Sequence, residues 1–316
     1  MAGQGDLALD QIERAITAAG DDGASFRPDL AYALAMVGYH GEALEIYESL
    51  LTAQPNDGET RVNFANLLYV LQRADEAEAE YRKAIALSPA HVEAYANLGT
   101  LLHEGQRYEE AIETFQAALA LQPESADLHH NLGAVYRALD RFDEAAASYA
   151  EAVRRAPNRP DLHEKHGAAL SASGDLDEAA AAFRRALAQT PDFVDARTGL
   201  AEVAMAQGAP KSAIDLCDEY LRDFGYNSGV IAAKALAHND AGDETEAAYF
   251  LDLDRFVCPA EIGVPPTFTN RRAFDAAIEA EARAHPSLTF EPPAVATTSG
   301  FQTGDLFHDA ATPAIA

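Results

Sequence analysis

Apolar residues recur at helical spacing along most of the chain, in pairs of short runs separated by a turn. One such run has its small and apolar positions at Tyr95, Leu98, Gly99 and Leu102. This i, i+3, i+4, i+7 spacing places the four side chains on one face of an α-helix. The run that follows opens with two acids, which the N-terminal dipole of a helix favours, and it ends at Pro123. The pattern therefore predicts a helix, a short turn and a second helix.

The pair of runs repeats every 34 residues, with the same residue types at fixed places. A proline ends each unit, at Pro55, Pro89, Pro123, Pro157 and Pro191. An alanine stands twelve residues before the proline, at Ala43, Ala77, Ala111, Ala145 and Ala179, and Ala213 continues the series. A ring follows four residues after the alanine, at Tyr47, Tyr81, Phe115, Tyr149 and Phe183, with Cys217 in its place in the sixth unit. A unit this short cannot bury its own apolar face, so the units are expected to stack.

These positions together resemble the tetratricopeptide repeat, whose helix-turn-helix unit has a small residue where its two helices cross and a proline at its end. Six units begin at residues 24, 58, 92, 126, 160 and 194, and they cover residues 24–227. The resemblance implies an all-α fold, a right-handed superhelix of helix pairs. The chain departs from the family in having no tryptophan, and Tyr95, His129 and His163 stand at the place of the family's early tryptophan.

The segments outside the six units are predicted to be atypical ends, as a repeat array needs. Helical spacing of apolar residues in 1–22 predicts an N-terminal capping helix. The same spacing continues over 228–257, which we interpret as a degenerate seventh repeat or cap. In residues 258–316 prolines cluster, so we expect a linker, a helix and an irregular extended tail that includes a strand at 288–290.

Composition narrows the functional classes. The net charge is −28, from 23 Lys and Arg against 51 Asp and Glu. Nucleic acid is therefore not an expected partner, because phosphate binding needs clustered basic side chains. No apolar stretch has the length of a membrane span, and residues 1–10 lack the basic-then-apolar order of a secretory signal. Cys217 and Cys258 lie in no metal or redox spacing, so both are predicted to be packed thiols of a cytoplasmic protein.

Candidate binding residues follow from the geometry of the first helix in each unit. Its core side chains stand at unit positions 4, 7, 8 and 11, so positions 2, 6, 9 and 13 point the other way, into the expected concave groove. Positions 6 and 9 give a polar row whose candidate residues are Asn63, Asn66, Asn97, Thr100, Asn131 and Lys165. Position 2 gives an acidic row whose candidate residues are Glu59, Glu93, Asp127 and Asp161.

An asparagine amide offers both a donor and an acceptor, which suits the backbone of an extended peptide. We expect the amides to hold the main chain of such a peptide and the acids to select basic side chains. Another interpretation of the acids stays open, since an acid in the first helical turn stabilises the helix dipole without any ligand. The resemblance adds that tetratricopeptide arrays commonly bind peptides in this groove. Their clamp for acidic tails needs Lys or Arg at position 2, where this chain has acids.

Residues 268–306 carry a second resemblance, to the stretch that leads into 2-oxoglutarate- and Fe(II)-dependent oxygenases, some of which have tetratricopeptide repeats in front. Such enzymes bind iron through His-x-Asp and a distant His. The His-x-Asp triplet of this chain, at residues 238–240, falls in a helical stretch rather than on a strand, so no metal site is expected.

The sequence therefore predicts a non-enzymatic, cytoplasmic scaffold that binds a protein or peptide, basic and extended, without a cofactor. The alternative is the substrate-recruiting N-terminal part of an oxygenase whose catalytic domain is missing from this chain. Self-association through an uncapped end of the array is a third interpretation.

Overall fold

The computed structural model describes residues 27–251, 288–290 and 301–303. Within the first of these ranges the chain forms seven helix pairs joined by short turns. In chain order the helices are α1 (Arg27–Val37), α2 (His40–Ala53), α3 (Gly58–Val70), α4 (Ala74–Leu87), α5 (Val92–Glu104), α6 (Tyr108–Leu121), α7 (Ala126–Ala138), α8 (Phe142–Arg155), α9 (Pro160–Ser173), α10 (Leu176–Gln189), α11 (Val194–Ala206), α12 (Pro210–Phe224), α13 (Ser228–Asp240) and α14 (Glu244–Leu251). The first six pairs fall within the six units that the sequence marks.

The pairs stack in chain order. The second helix of each pair contacts the first helix of the next pair, and most first helices also contact the first helix of the next pair. The prediction of an all-α superhelix of helix pairs is confirmed. The capping helix predicted for residues 1–22 and most of the linker and tail predicted for 258–316 lie outside the described residues.

Residues 252–316 form a separate unit of the chain. The strand predicted at 288–290 is present there. This strand, β1 (Leu288–Phe290), pairs antiparallel with β2 (Phe301–Thr303), and Leu288 lies opposite Thr303.

A small residue and a buried ring form the centre of each of the first five units. The alanines in the second helices of the first six pairs have no exposed surface. In the third unit Gly99 of α5 lies so close to Phe115 of α6 that an added Cβ would be 2.7 Å from the ring. Gly133 meets Tyr149 in the same way, at 2.9 Å. In the sixth unit Cys217 replaces the ring and is fully buried, which raises the pKa of its thiol to about 11.

The carbonyl of the proline that ends a unit contacts a polar side chain of the next unit. The imidazole Nε2 of His129 lies 3.0 Å from the Pro123 oxygen. The same atom of His163 lies 2.8 Å from the Pro157 oxygen. Arginines make the corresponding contact in the second and sixth units. A polar contact to the backbone therefore stands where the resemblance would place tryptophan, and it satisfies an acceptor at the junction of two units.

Replacing Gly99 with alanine should destabilise the array, because the new Cβ would have to displace the buried ring of Phe115. We expect the free energy of unfolding to fall by about 1–3 kcal/mol. Gly41→Ala is the matched control, since Gly41 is exposed in α2 and an added Cβ there meets no atom within 4 Å. That change should leave stability unchanged or slightly higher. Urea unfolding followed by circular dichroism measures both variants. If both unfold at the same urea concentration, the close packing of Gly99 on Phe115 is contradicted.

Candidate functional site

The first helices of the pairs line one face of the array. A groove of about 410 Å³ between α9 and α11 shows which unit positions share this face. Its lining includes Glu164, Ala168, Ser171, Ala172, Asp195, Thr198, Gly199 and Glu202. These residues stand at unit positions 5, 9, 12 and 13 of α9 and at positions 2, 5, 6 and 9 of α11. We call the surface formed by positions 2, 5, 6, 9, 12 and 13 of the first helices the A face. Because most successive first helices touch one another directly, the A face is the shorter, concave side of the stack.

A hydrogen-bonded cluster joins the A face to the core in the second and third units. The Oδ1 atom of Asn66 accepts a hydrogen bond from the Tyr81 hydroxyl at 2.6 Å. The same atom accepts a second hydrogen bond from Nδ2 of Asn97 at 2.8 Å. Tyr81 is almost fully buried, so the ring that fills the core of one unit also fixes an amide on the A face. Thr100 on the same face donates its hydroxyl to the Ala96 carbonyl at 3.0 Å.

The three asparagines at position 6 differ in how many of their side-chain donors and acceptors remain available to a ligand. Asn97 uses one amide hydrogen on Asn66 and keeps its carbonyl oxygen. The side chains of Asn63 and Asn131 are half-buried, and neither makes a hydrogen bond to another described residue. Asn63 and Asn131 therefore keep a full donor and acceptor each, on either side of the fixed Asn97.

Three of the predicted site residues meet in one groove between α5 and α7. Glu93, Asp127 and Asn131 line this groove, which has a volume of about 610 Å³. The structure thus brings an amide from the polar row together with acids from two successive units. The other predicted residues lie along the same face but outside this groove.

The acidic row divides into paired and unpaired members. Arg159, just before α9, contacts Asp127 at 2.5 Å and Asp161 at 2.6 Å. This guanidinium lowers the pKa of the Asp161 carboxyl. Glu59 and Glu93 form no ion pair with another described residue. Acids of the A face are therefore unpaired in the second and third units and paired in the fourth and fifth, while Asp195 and Glu202 of the sixth unit form no ion pair with another described residue.

Lys165 is also compensated, since its ammonium lies 2.9 Å from the carboxylate of Glu164. The basic candidate of the polar row is thus paired with a neighbouring acid. His130, at position 5 of α7, is half-buried, and burial is the main cause that lowers the pKa of its imidazole, with the charge of Arg159 adding to it. A neutral imidazole leaves the acids of this part of the face without a further cation.

Sequence geometry missed two residues that shape the site. Tyr81 belongs to the core series of rings, and the one signal for its second role is a hydroxyl where Phe115 has none. Arg159 lies in a turn, outside the helix positions that the periodicity assigns to the groove. Its spacing of two residues from Asp161 is the signal that could have indicated the pair.

The described part of the chain has neither a metal-binding cluster nor a membrane-spanning helix. Among residues 27–251, 288–290 and 301–303 no three His, Cys, Asp or Glu side chains are grouped as a metal ion would require. None of the described helices combines the length and the apolar character needed to cross a bilayer.

Family models match the array at several places. Models described as tetratricopeptide repeat match residues 34–102, 72–117, 126–159 and 165–228, and a model described as TPR repeat matches residues 99–140. All of these matches lie within residues 34–228. The similarity of residues 268–306 to oxygenases therefore stays a prediction.

Several solved structures are similar to the array. YrrB, described as a TPR protein with an unusual peptide-binding site, is 26% identical with a TM-score of 0.53, and the match covers 60% of this chain and 97% of YrrB. PilW, a type IV pilus biogenesis factor, is 20% identical with a TM-score of 0.53, over 64% of this chain and 95% of PilW. PilF of Pseudomonas aeruginosa is 19% identical with a TM-score of 0.51, over 65% of this chain and 94% of PilF. The last two show similarity of fold alone. The comparison with curated proteins found no match.

Tyr81→Phe should cost about 0.5–1.5 kcal/mol of stability, because it removes the hydroxyl that donates to Asn66. Tyr47→Phe is the matched control, since Tyr47 has the same place in the first unit and its hydroxyl bonds to no other described residue. Chemical denaturation of both variants measures the difference. If the two changes lower the free energy of unfolding equally, the hydrogen bond from Tyr81 to Asn66 does not stabilise the fold.

Proposed function

Because this chain belongs to the tetratricopeptide repeat family over residues 34–228, we propose that it is a scaffold that binds an extended peptide along its A face. Peptide binding needs donors and acceptors placed at regular intervals. The uncommitted amides of Asn63 and Asn131, on either side of Asn97, are the observation that carries this proposal.

The spacing of the three asparagines suits a peptide backbone. Packed helices lie about 8–10 Å apart, and an extended chain covers that distance in about three residues at roughly 3.3 Å each. Equivalent amides in successive units can therefore contact about every third residue of one peptide. The hydrogen bond from Asn97 to Asn66 holds the middle amide in a fixed orientation, which lowers the conformational entropy lost on binding.

Likeness to YrrB supports the same proposal. That protein is described as having an unusual peptide-binding site, and nearly its whole length is similar to this array. The chemistry of the partner follows from the residues of the A face itself.

The polarity of the A face favours a basic partner over an acidic one. Glu59 and Glu93 offer unpaired carboxylates, whereas the cations Arg159 and Lys165 are already paired with acids of the chain. An acidic tail would meet repulsion at the first two and no free cation at the other two. In this proposal the chain itself performs no chemistry and needs no cofactor, and a cytoplasmic location stays a prediction from its composition.

Changing Asn63 and Asn131 together to alanine should weaken peptide binding about tenfold or more, since two backbone hydrogen bonds at about 1 kcal/mol each are lost. The probes are peptides selected against the native chain from a random-peptide phage library, with affinities measured by isothermal titration calorimetry.

The matched control changes Asn56 and Gln116, two exposed amides that lie off the A face, to alanine. This double variant should bind the selected peptides like the native chain. If every selected peptide binds the Asn63 and Asn131 variant with native affinity, the A face is not the binding site.

A further inference from the structure

We infer that the partner is recognised in two parts, through an apolar side chain at the first end of the A face and through Lys or Arg residues next to it. This inference rests on the proposed function and names the chemistry of the peptide. It depends on an exposed apolar patch and on the sign and pairing of the charges beside it.

Three large apolar side chains of the first two units are exposed on the A face. Tyr32, Met36 and Val70 are 53%, 70% and 59% exposed. Tyr32 and Met36 are four residues apart on α1, so their side chains lie on the same face of that helix. Val70 has in α3 the unit position that Met36 has in α1, and α1 contacts α3. We call these three residues the apolar patch.

The fold does not require these side chains. The first pair already packs through buried Leu34 and Tyr47, and it joins the second pair through buried Leu67. At positions 9 and 13 further along the A face the helices carry small residues such as Ala134, Ala138, Ala168 and Ala172. Three large exposed apolar residues at these positions cluster in the first two units, whereas at the other end Leu236 is a single one, 54% exposed at position 9 of α13. A cluster of exposed apolar surface of this kind marks an interaction site.

The charged groups at the A-face positions of α1, α3 and α5 are all acids. Asp29, Glu59 and Glu93 lie at A-face positions of α1, α3 and α5, and none of them pairs with a described Lys or Arg. At the A-face positions of these three helices the described chain has no Lys or Arg. A basic segment of a partner would therefore be attracted here, whereas Arg159 and Lys165 pair with acids of the fourth and fifth units.

The distance between the two parts limits the partner's sequence. Glu93 lies one helix spacing from Val70 and two from Met36, and it is eleven unit positions nearer the start of its helix, an axial offset of about 16 Å. The two parts are therefore roughly 19–26 Å apart, which an extended peptide covers in about six to eight residues. The peptide should carry Leu, Phe or a similar side chain within about eight residues of two or more Lys or Arg. We expect this motif to bind more tightly than either half alone.

The test uses a fluorescein-labelled synthetic peptide with Leu and Phe followed by three Lys, measured by fluorescence anisotropy against the full chain. One comparison peptide has Glu in place of each Lys, and another has Ser in place of Leu and Phe. We expect each comparison peptide to bind at least about tenfold more weakly, a loss of about 1.4 kcal/mol. Equal affinity of the three peptides would overturn the inference.

Variants of the chain assign each half of the peptide to its residues. Changing Tyr32, Met36 and Val70 together to Ser should weaken binding of the first peptide about tenfold and leave its salt dependence unchanged. Its control changes Leu87, Leu121 and Phe224, which are 41–45% exposed off the A face, to Ser. Glu59→Gln with Glu93→Gln should weaken binding and flatten the salt dependence, whereas Glu45→Gln with Glu113→Gln, on second helices, should do neither.

The outcomes separate this inference from the proposed function. If library-selected peptides depend on Asn63 and Asn131 but ignore the apolar patch and Glu59, the groove binds peptides and the two-part recognition is wrong. If light scattering shows a dimer that the Tyr32, Met36 and Val70 variant abolishes, the apolar patch joins two copies of the chain and the inference is overturned. If that variant binds the first peptide like the native chain and has the same oligomeric state, the inference is also wrong.

Discussion

Each helix pair of this chain has an apolar face that it cannot cover by itself, and every other feature of the array depends on how neighbouring pairs cover it. The close approach of two helices at a small residue makes this covering possible. At Gly99 the backbone of α5 rests directly on the ring of Phe115, with no room for one more carbon. The same contact within a pair is repeated between Gly133 and Tyr149. Between pairs, Gly199 lies so close to Phe183 of the preceding unit that an added Cβ would be 2.5 Å from the ring. Close contacts within and between pairs together place the A-face residues in rows.

The buried ring of the second unit also connects the core to the A face. Where the ring is tyrosine in the second unit, its hydroxyl passes through the core to Asn66, and Asn66 in turn orients Asn97 of the next unit. A buried polar group of this kind is stable because its partners are satisfied. The cluster holds the Asn97 amide in one orientation, while the neighbouring amides of Asn63 and Asn131 make no hydrogen bond to another described residue. The A face therefore combines one oriented amide with two that remain available to a ligand.

Charge is distributed unevenly along the same face. In the fourth and fifth units Arg159 and Lys165 neutralise nearby acids, at distances of 2.5–2.9 Å. In the second and third units Glu59 and Glu93 have no such partner among the described residues. The net charge of −28 does not show where the unpaired acids lie. A ligand at the apolar patch would meet Glu59 and Glu93, whereas a ligand in the fourth and fifth units would meet acids already paired with Arg159 and Lys165.

The amino-acid sequence by itself determined the helix pairs, their 34-residue step and the residues at each joint. Helical periodicity is a local property, and an alanine and a ring recur at the places of Ala111 and Phe115 in the first five units, so no tertiary information was needed. Only the tertiary structure decided which polar residues are committed. Asn97 and its acceptor Asn66 are 31 residues apart, and Arg159 and Asp127 are 32 residues apart. Partners in neighbouring units have no local pattern in the sequence, because the stacking of one pair on the next brings them together.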